Sequence, residues 1–117
     1  MTGVSEPLIQ ASLLGEAIEN APPAVFVADE HGKYVAVNQA ACALLGYTRE
    51  ELLGLRVADV ARDREAGDEW TELRQPGTRV GTSRLTRKDG TTVEFSYVAG
   101  ETTVAGMPVF VSVGATA

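Results

Sequence analysis

The chain has 117 residues, 44 % of them apolar, one cysteine and a net charge of −6. That length and composition fit one domain with its own core rather than a disordered segment. A single cysteine excludes an internal disulfide and a cysteine-held metal cluster, so no metal is expected, and the acidic balance argues against direct contact with nucleic acid. No apolar run approaches the ~18 residues of a membrane span. The N-terminus has neither a basic start nor a long apolar run, so no signal peptide is read. A reducing cytoplasm is the expected compartment.

The first predicted element is a helix from Ser5 to Asn20. Ser5 is the expected N-cap, with Glu6 in the first turn. Ile9, Leu13, Leu14, Ala17 and Ile18 recur at helical spacing, and Pro22 and Pro23 stop the helix. The stripe is wide for a mere extension and needs something to pack on. These five residues are therefore the candidate dimer-interface residues. Residues 1–21 are read as a flanking helix and residues 22–117 as the domain proper.

A hairpin follows. Val25 to Ala28 and Tyr34 to Val37 are short β-prone runs around Asp29-Glu30-His31-Gly32, with Asp at the turn start and Gly at the left-handed position. Asn38 then caps a short helix that ends at Gly46. Thr48 and Glu51 form a capping box for a second short helix, with Tyr47 and Leu52 placed as its hydrophobic staple and Gly54 at its end. Neither helix is long enough to stand alone in water, so both need tertiary packing. Val57 to Ala61 reads as one further turn. Asp63 to Gln75 reads as a longer helix with Trp70 and Leu73 on one side, stopped by Pro76-Gly77.

Three strands complete the chain. Thr78 to Arg87 and Thr92 to Gly100 flank the turn Lys88-Asp89-Gly90-Thr91. Thr102 to Gly106 is read as a second turn and Met107 to Gly114 as the last strand, with Met107, Val109, Val111 and Val113 on one face. Five strands joined by tight turns indicate an antiparallel sheet, with the mid-chain helices on one face of it: an α+β fold.

The ordered set of motifs resembles a PAS domain of the S-box type. The matching residues are the Asp29–Gly32 turn, the strand ending in Val37-Asn38, the helix closing on Leu45-Gly46-Tyr47, and the segment Thr48 to Gly54. Arg87 to Gly90 between two strands and the valine-rich last strand match as well. The resemblance implies a five-stranded sheet in the order 2-1-5-4-3, a ligand or cofactor space between sheet and helices, and service as a sensor and dimerisation module. It also implies a homodimer through the N-terminal helix and a sheet face. Relatives in bacterial two-component regulation continue into a kinase, cyclase or transcription regulator, so an effector beyond this chain is expected, the chain being read as a fragment that starts at the native Met1.

Candidate ligand-pocket residues are Phe26, Asn38, Leu45, Leu53, Val57 and Val60, and in the second half Trp70, Leu73, Leu85, Tyr97 and Phe110. Their apolar character points to an apolar or aromatic ligand, if there is one. The light-sensing branch of the family forms a flavin adduct at a cysteine matching residues 57–62. That stretch holds no cysteine, and Cys42 on the first short helix reads as a packing residue. Haem-binding relatives carry a histidine on the long helix. The only histidine here, His31, sits in a turn, so neither haem nor a flavin adduct is expected, and the cofactor expectation is none. No P-loop, G-x-S-x-G or G-x-G-x-x-G appears, and no enzyme is expected. Two readings remain beside the sensor: a ligand-free dimerisation module and a flavin-binding redox or light sensor.

Overall fold

The computed structural model describes residues 6–62, 69–72 and 78–116, with residues 69–72 described by their backbone alone. Helix α1 spans Pro7–Glu19. Its N-cap is Glu6 rather than the expected Ser5, which lies outside the described residues. Pro7 explains the shift: it is suited to the first helical position and forces the residue before it to extended backbone.

Strand β1 (Ala24–Asp29) pairs antiparallel with β2 (Tyr34–Val37). Asp29 builds the turn between them, its Oδ1 accepting from the backbone N–H of His31 at 2.9 Å and of Lys33 at 3.0 Å. Helices α2 (Gln39–Leu45), α3 (Arg49–Leu52) and α4 (Val57–Val60) follow. Both predicted caps are present. Asn38 accepts from the Ala41 N–H, and the Thr48–Glu51 box is closed in both directions. Gly46 sits at φ 78°, the left-handed C-cap conformation.

The helix expected from Asp63 to Gln75 is not what residues 69–72 form. They make a strand, β3 (Glu69–Glu72), paired antiparallel with β4 in a register that sets the Trp70 backbone opposite that of Gly81. Two things favour the strand. Trp70 and Thr71 are β-prone, and the edge of β4 offers a hydrogen-bonding ladder that overrides a weak helical preference. The remaining residues of that expected helix, including Leu73, lie outside the described residues.

Strands β4 (Thr78–Thr86), β5 (Thr92–Val104) and β6 (Met107–Thr116) complete a sheet in the order β2-β1-β6-β5-β4-β3. The five expected strands keep the expected order among themselves. The short β3 adds a sixth at the outer edge of β4. The turn after β5 is tighter than Thr102 to Gly106: β5 runs on to Val104, which pairs with Met107. Only Ala105 (φ 50°) and Gly106 (φ 79°) remain between the strands, the two left-handed residues of a type I′ hairpin.

The faces of the sheet follow from the register. Phe26, Ser112, Ala99 and Arg79 form one row across β1, β6, β5 and β4; Gly114, Tyr97 and Gly81 form the next. These residues face the helices. On the opposite face Val25, Val113, Val98 and Val80 form a row of their own. The core lies between the inner face and α2–α4, where Ala41, Leu45, Leu52 and Val60 are fully buried. Each buried leucine contributes about 2–3 kcal/mol.

Candidate functional site

The small helices are fixed over the sheet by polar contacts as well as apolar ones. The β4–β5 turn docks on the C-terminal end of α2: the Lys88 N–H donates to the Leu45 carbonyl at 2.9 Å and Arg87 Nε to the Leu44 carbonyl at 3.0 Å. These bonds satisfy carbonyls that a helix end leaves without partners. Lys88 Nζ also reaches Glu51 Oε2 at 2.6 Å, tying the same turn to α3. At the other side of the fold the β1–β2 turn meets the segment before α4, with Tyr34 N–H donating to the Leu55 carbonyl and Val57 N–H to that of Gly32.

Between the sheet and α4 lies a cavity of about 500 Å³. Four rings form a continuous chain along it. Phe26 meets Tyr34 at 5.5 Å between centroids and Phe95 edge-on at 5.6 Å, and Phe95 stacks with Tyr97 at 6.0 Å. The cavity exists because the row beside these rings carries small side chains: Ala99 and Ser112 stand where large ones would fill the space. Gly114 has a different role. A Cβ there would lie 2.1 Å from the Ser96 carbonyl oxygen and 2.9 Å from the Phe95 ring, so the close backbone of β5, with the ring beside it, leaves no room for a side chain.

Of the residues read from the sequence as pocket candidates, Phe26, Val57, Leu85, Tyr97 and Phe110 line this cavity. Leu45 and Val60 are fully buried in the core and Leu53 is half-buried. Asn38 is buried as well, and all its hydrogen-bonding capacity goes to the protein. Trp70 is described by its backbone only, and Leu73 lies outside the described residues. Sequence reading missed Phe95, whose strand was recognised but not its face. It also missed Tyr34, which reads merely as the start of a strand, and Ala99 and Ser112, whose small size gives no signal until the register is known. The polar part of the lining is Arg79, Ser83, Ser112, Asp29 and Glu30.

Asp29 is held below the usual carboxylate range, chiefly by the Lys33 N–H. Cys42 is half-buried outside the cavity lining. Burial pushes its thiol up, against the opposing pull of Arg49, so it stays protonated at neutral pH. The described lining holds two tyrosines, Tyr34 and Tyr97, and neither cysteine nor histidine. No described helix is long and apolar enough to cross a membrane.

The PAS fold family model matches residues 13–112. The chain is a PAS domain. Solved structures similar to it across nearly the whole length include a PAS domain from a two-component sensor histidine kinase. That structure is 16 % identical, with a TM-score of 0.75, over 96 % of this chain and 100 % of the other. The PAS domain of an HTR-like protein from Haloarcula marismortui is 24 % identical, TM-score 0.72, over 92 % and 97 %. A domain of a sensory box sensor histidine kinase/response regulator from Geobacter sulfurreducens is 20 % identical, TM-score 0.71, over 96 % and 98 %. Among curated proteins none matches significantly. The match of the PAS model begins inside α1, so the second half of that helix is part of the matched unit.

Proposed function

We propose that this PAS domain is a non-catalytic sensory module whose cavity takes a small apolar or aromatic molecule and whose response passes to an effector domain or partner in the cytoplasm. The observation that carries the reading is the cavity of about 500 Å³ floored by Ala99 and Ser112 beside four linked rings. That volume is typical of small-molecule sites, and the aromatic wall favours a flat guest with a largely apolar face. Histidine kinases carry two of the similar structures, which supports a kinase-type effector. Native mass spectrometry of the purified chain tests it: a bound mass of a few hundred daltons, lost on Ser112→Phe, is the expected result. A ligand-free mass, with no aromatic acid, amine or heterocycle from a screening set stabilising the fold, overturns it.

A second property rests on a separate observation. Leu14 is 66 % exposed, Leu13 49 % and Ile18 41 %, and the outer sheet face exposes Val80, Val98 and Val113 in one row. Two open apolar surfaces on one chain fit each other across a two-fold axis. The domain therefore works as a homodimer, α1 of each copy, with Ile9 and Ala17 in its stripe, lying on the other. Light scattering of the chain with and without residues 1–20 decides this. A dimer that becomes a monomer on deletion is expected; a monomer in both forms rejects it.

A further inference from the structure

We infer that Asn38 and Arg49 form a clamp that carries the state of the cavity to α1, an inference that rests on the sensory reading above. Asn38 is only 3 % exposed, and its side-chain amide bonds four different segments. Its Oδ1 accepts from the Val25 N–H at 2.9 Å and the Ala41 N–H at 3.0 Å. Its Nδ2 donates to the Ile18 carbonyl at 2.8 Å and the Pro23 carbonyl at 2.9 Å. Two acceptor and two donor sites are thus all used.

Capping α2 needs only the bond to Ala41, which Ser, Thr or Asp would make equally well. The two donated bonds are what an amide adds, and both go to the last turn of α1 and the linker behind it. Arg49 makes a second attachment at the same place. Its guanidinium pairs with Glu19 in the last turn of α1, while Nε donates to the Val37 carbonyl at 3.2 Å. α1 contributes no buried residue of its own. Its direction relative to the sheet is therefore set by this polar clamp at its C-terminal end.

The clamp is also joined to the cavity wall. Val25, which donates to Asn38, precedes Phe26, and β2 runs from Tyr34 to Val37 directly into Asn38. The Phe26 and Tyr34 rings touch each other and line the cavity. A guest that displaces these rings moves the end of β1 and the end of β2, which are the two strand ends that Asn38 grips. The displacement then reaches the Ile18 carbonyl through Nδ2 and Glu19 through Arg49. Asn38 and Arg49 are positioning residues in this scheme; neither touches the guest.

Asn38→Asp separates the two duties of the side chain. It keeps both acceptor bonds and a good helix cap, and it removes the donors to Ile18 and Pro23. Ser112→Phe, which fills the cavity from its floor, is the probe. The measurement is amide hydrogen exchange, comparing residues 16–20 with β5 and β6. With Asn38 intact, Ser112→Phe is expected to change exchange in residues 16–20 by about threefold or more relative to the sheet. In the Asn38→Asp background that response disappears. Arg49→Met, a milder change, weakens it and serves in the same comparison if Asn38→Asp does not fold. An equal response with and without the clamp, or no response with the clamp intact, overturns the inference. An Asn38 that merely stabilised the fold would speed exchange throughout the sheet and leave the response to Ser112→Phe unchanged, which also overturns it. Failure to bind any small molecule while the Ser112→Phe response persists counts against the sensory reading and not against the clamp.

Discussion

α1 has 13 residues and an apolar stripe; α2 has 7 and α3 has 4, yet Leu45 and Leu52 on the short helices are fully buried and no residue of α1 is. Length and amphipathicity do not account for the difference. The short helices are held at both ends. Asn38 and Thr48 cap their starts, and the β4–β5 turn takes the last carbonyls of α2 and the carboxylate of Glu51 on α3. Among the described residues, α1 is held by side-chain bonds at one end only, by Asn38 and Arg49. A helix of four residues is stable here because the fold satisfies its ends and buries one face. A helix three times that length stays on the surface, with no residue of its stripe fully covered by the described residues.

The largest expected effect tests that contrast directly. Leu45→Ala should lower the unfolding free energy by about 2–5 kcal/mol, the range for a fully buried leucine whose cavity cannot collapse. Leu14→Ala, at equal chemistry, should change it by about 0.5 kcal/mol or less in dilute solution, while weakening self-association. Urea unfolding of both variants at low protein concentration makes the comparison. Equal destabilisation would mean that α1 packs on its own chain.

The capping box comes next in size. Thr48 Oγ1 accepts from the Glu51 N–H at 3.1 Å and the Glu51 carboxylate accepts from the Thr48 N–H at 2.9 Å. Thr48→Ala removes one half of the box and should lower stability by about 1 kcal/mol, read as a lower urea midpoint with an unchanged slope. A change near zero would show that the buried Leu52, not the cap, decides where α3 begins.

The same contrast explains what the sequence revealed. Caps and turns are local chemistry, and Asn38, Gly46, the Thr48–Glu51 box and the Asp29–Gly32 turn can all be read from a few neighbouring residues. The strand order follows once the family resemblance is recognised. Register is different, because a pairing between β5 and β6 depends on where their turn falls. That turn holds two residues, not five, and the faces of Phe95 and Tyr97 could not be assigned without it. Residues 69–72 misled for a related reason. Trp70 and Leu73 have helical spacing, but the decisive partner, the edge of β4, is distant in sequence. The cavity is hardest to foresee, since Ala99 and Ser112 matter for what they leave empty.

A smaller effect should appear at the start of α1. Glu6 stands at the N-cap without a side-chain capping bond. Glu6→Ser supplies an oxygen for the first turn, worth up to about 1 kcal/mol to the helix itself. Because α1 contributes no buried residue, the gain should show as higher helical circular dichroism, with the urea midpoint moving little. A midpoint that rises in step with helicity would join α1 to the cooperative core and remove the contrast.

The smallest effect concerns Glu51, where the short helices and the β4–β5 turn meet. The hydrogen bond from Lys88 first, and the Thr48 N–H second, hold its carboxyl below the usual glutamate range. A carboxyl depressed in the folded state adds stability at pH values above its unfolded pKa, and that contribution is lost as pH falls through the folded one. Glu51→Gln keeps the acceptor for Thr48 but removes the charge facing Lys88. The variant should therefore be slightly less stable than the parent at neutral pH, and the difference should shrink as pH falls from the unfolded value of about 4.3. Asp29 and Asp89 are depressed too, but they are present in both proteins and cancel from the difference. Both partners are substantially exposed, so added salt should reduce the difference at neutral pH as well. Urea midpoints across the acid range at two salt concentrations read both dependences. A difference independent of pH and salt would assign the effect of Glu51 to its hydrogen bond with Thr48 alone, leaving the Lys88 contact without a part in fastening α3.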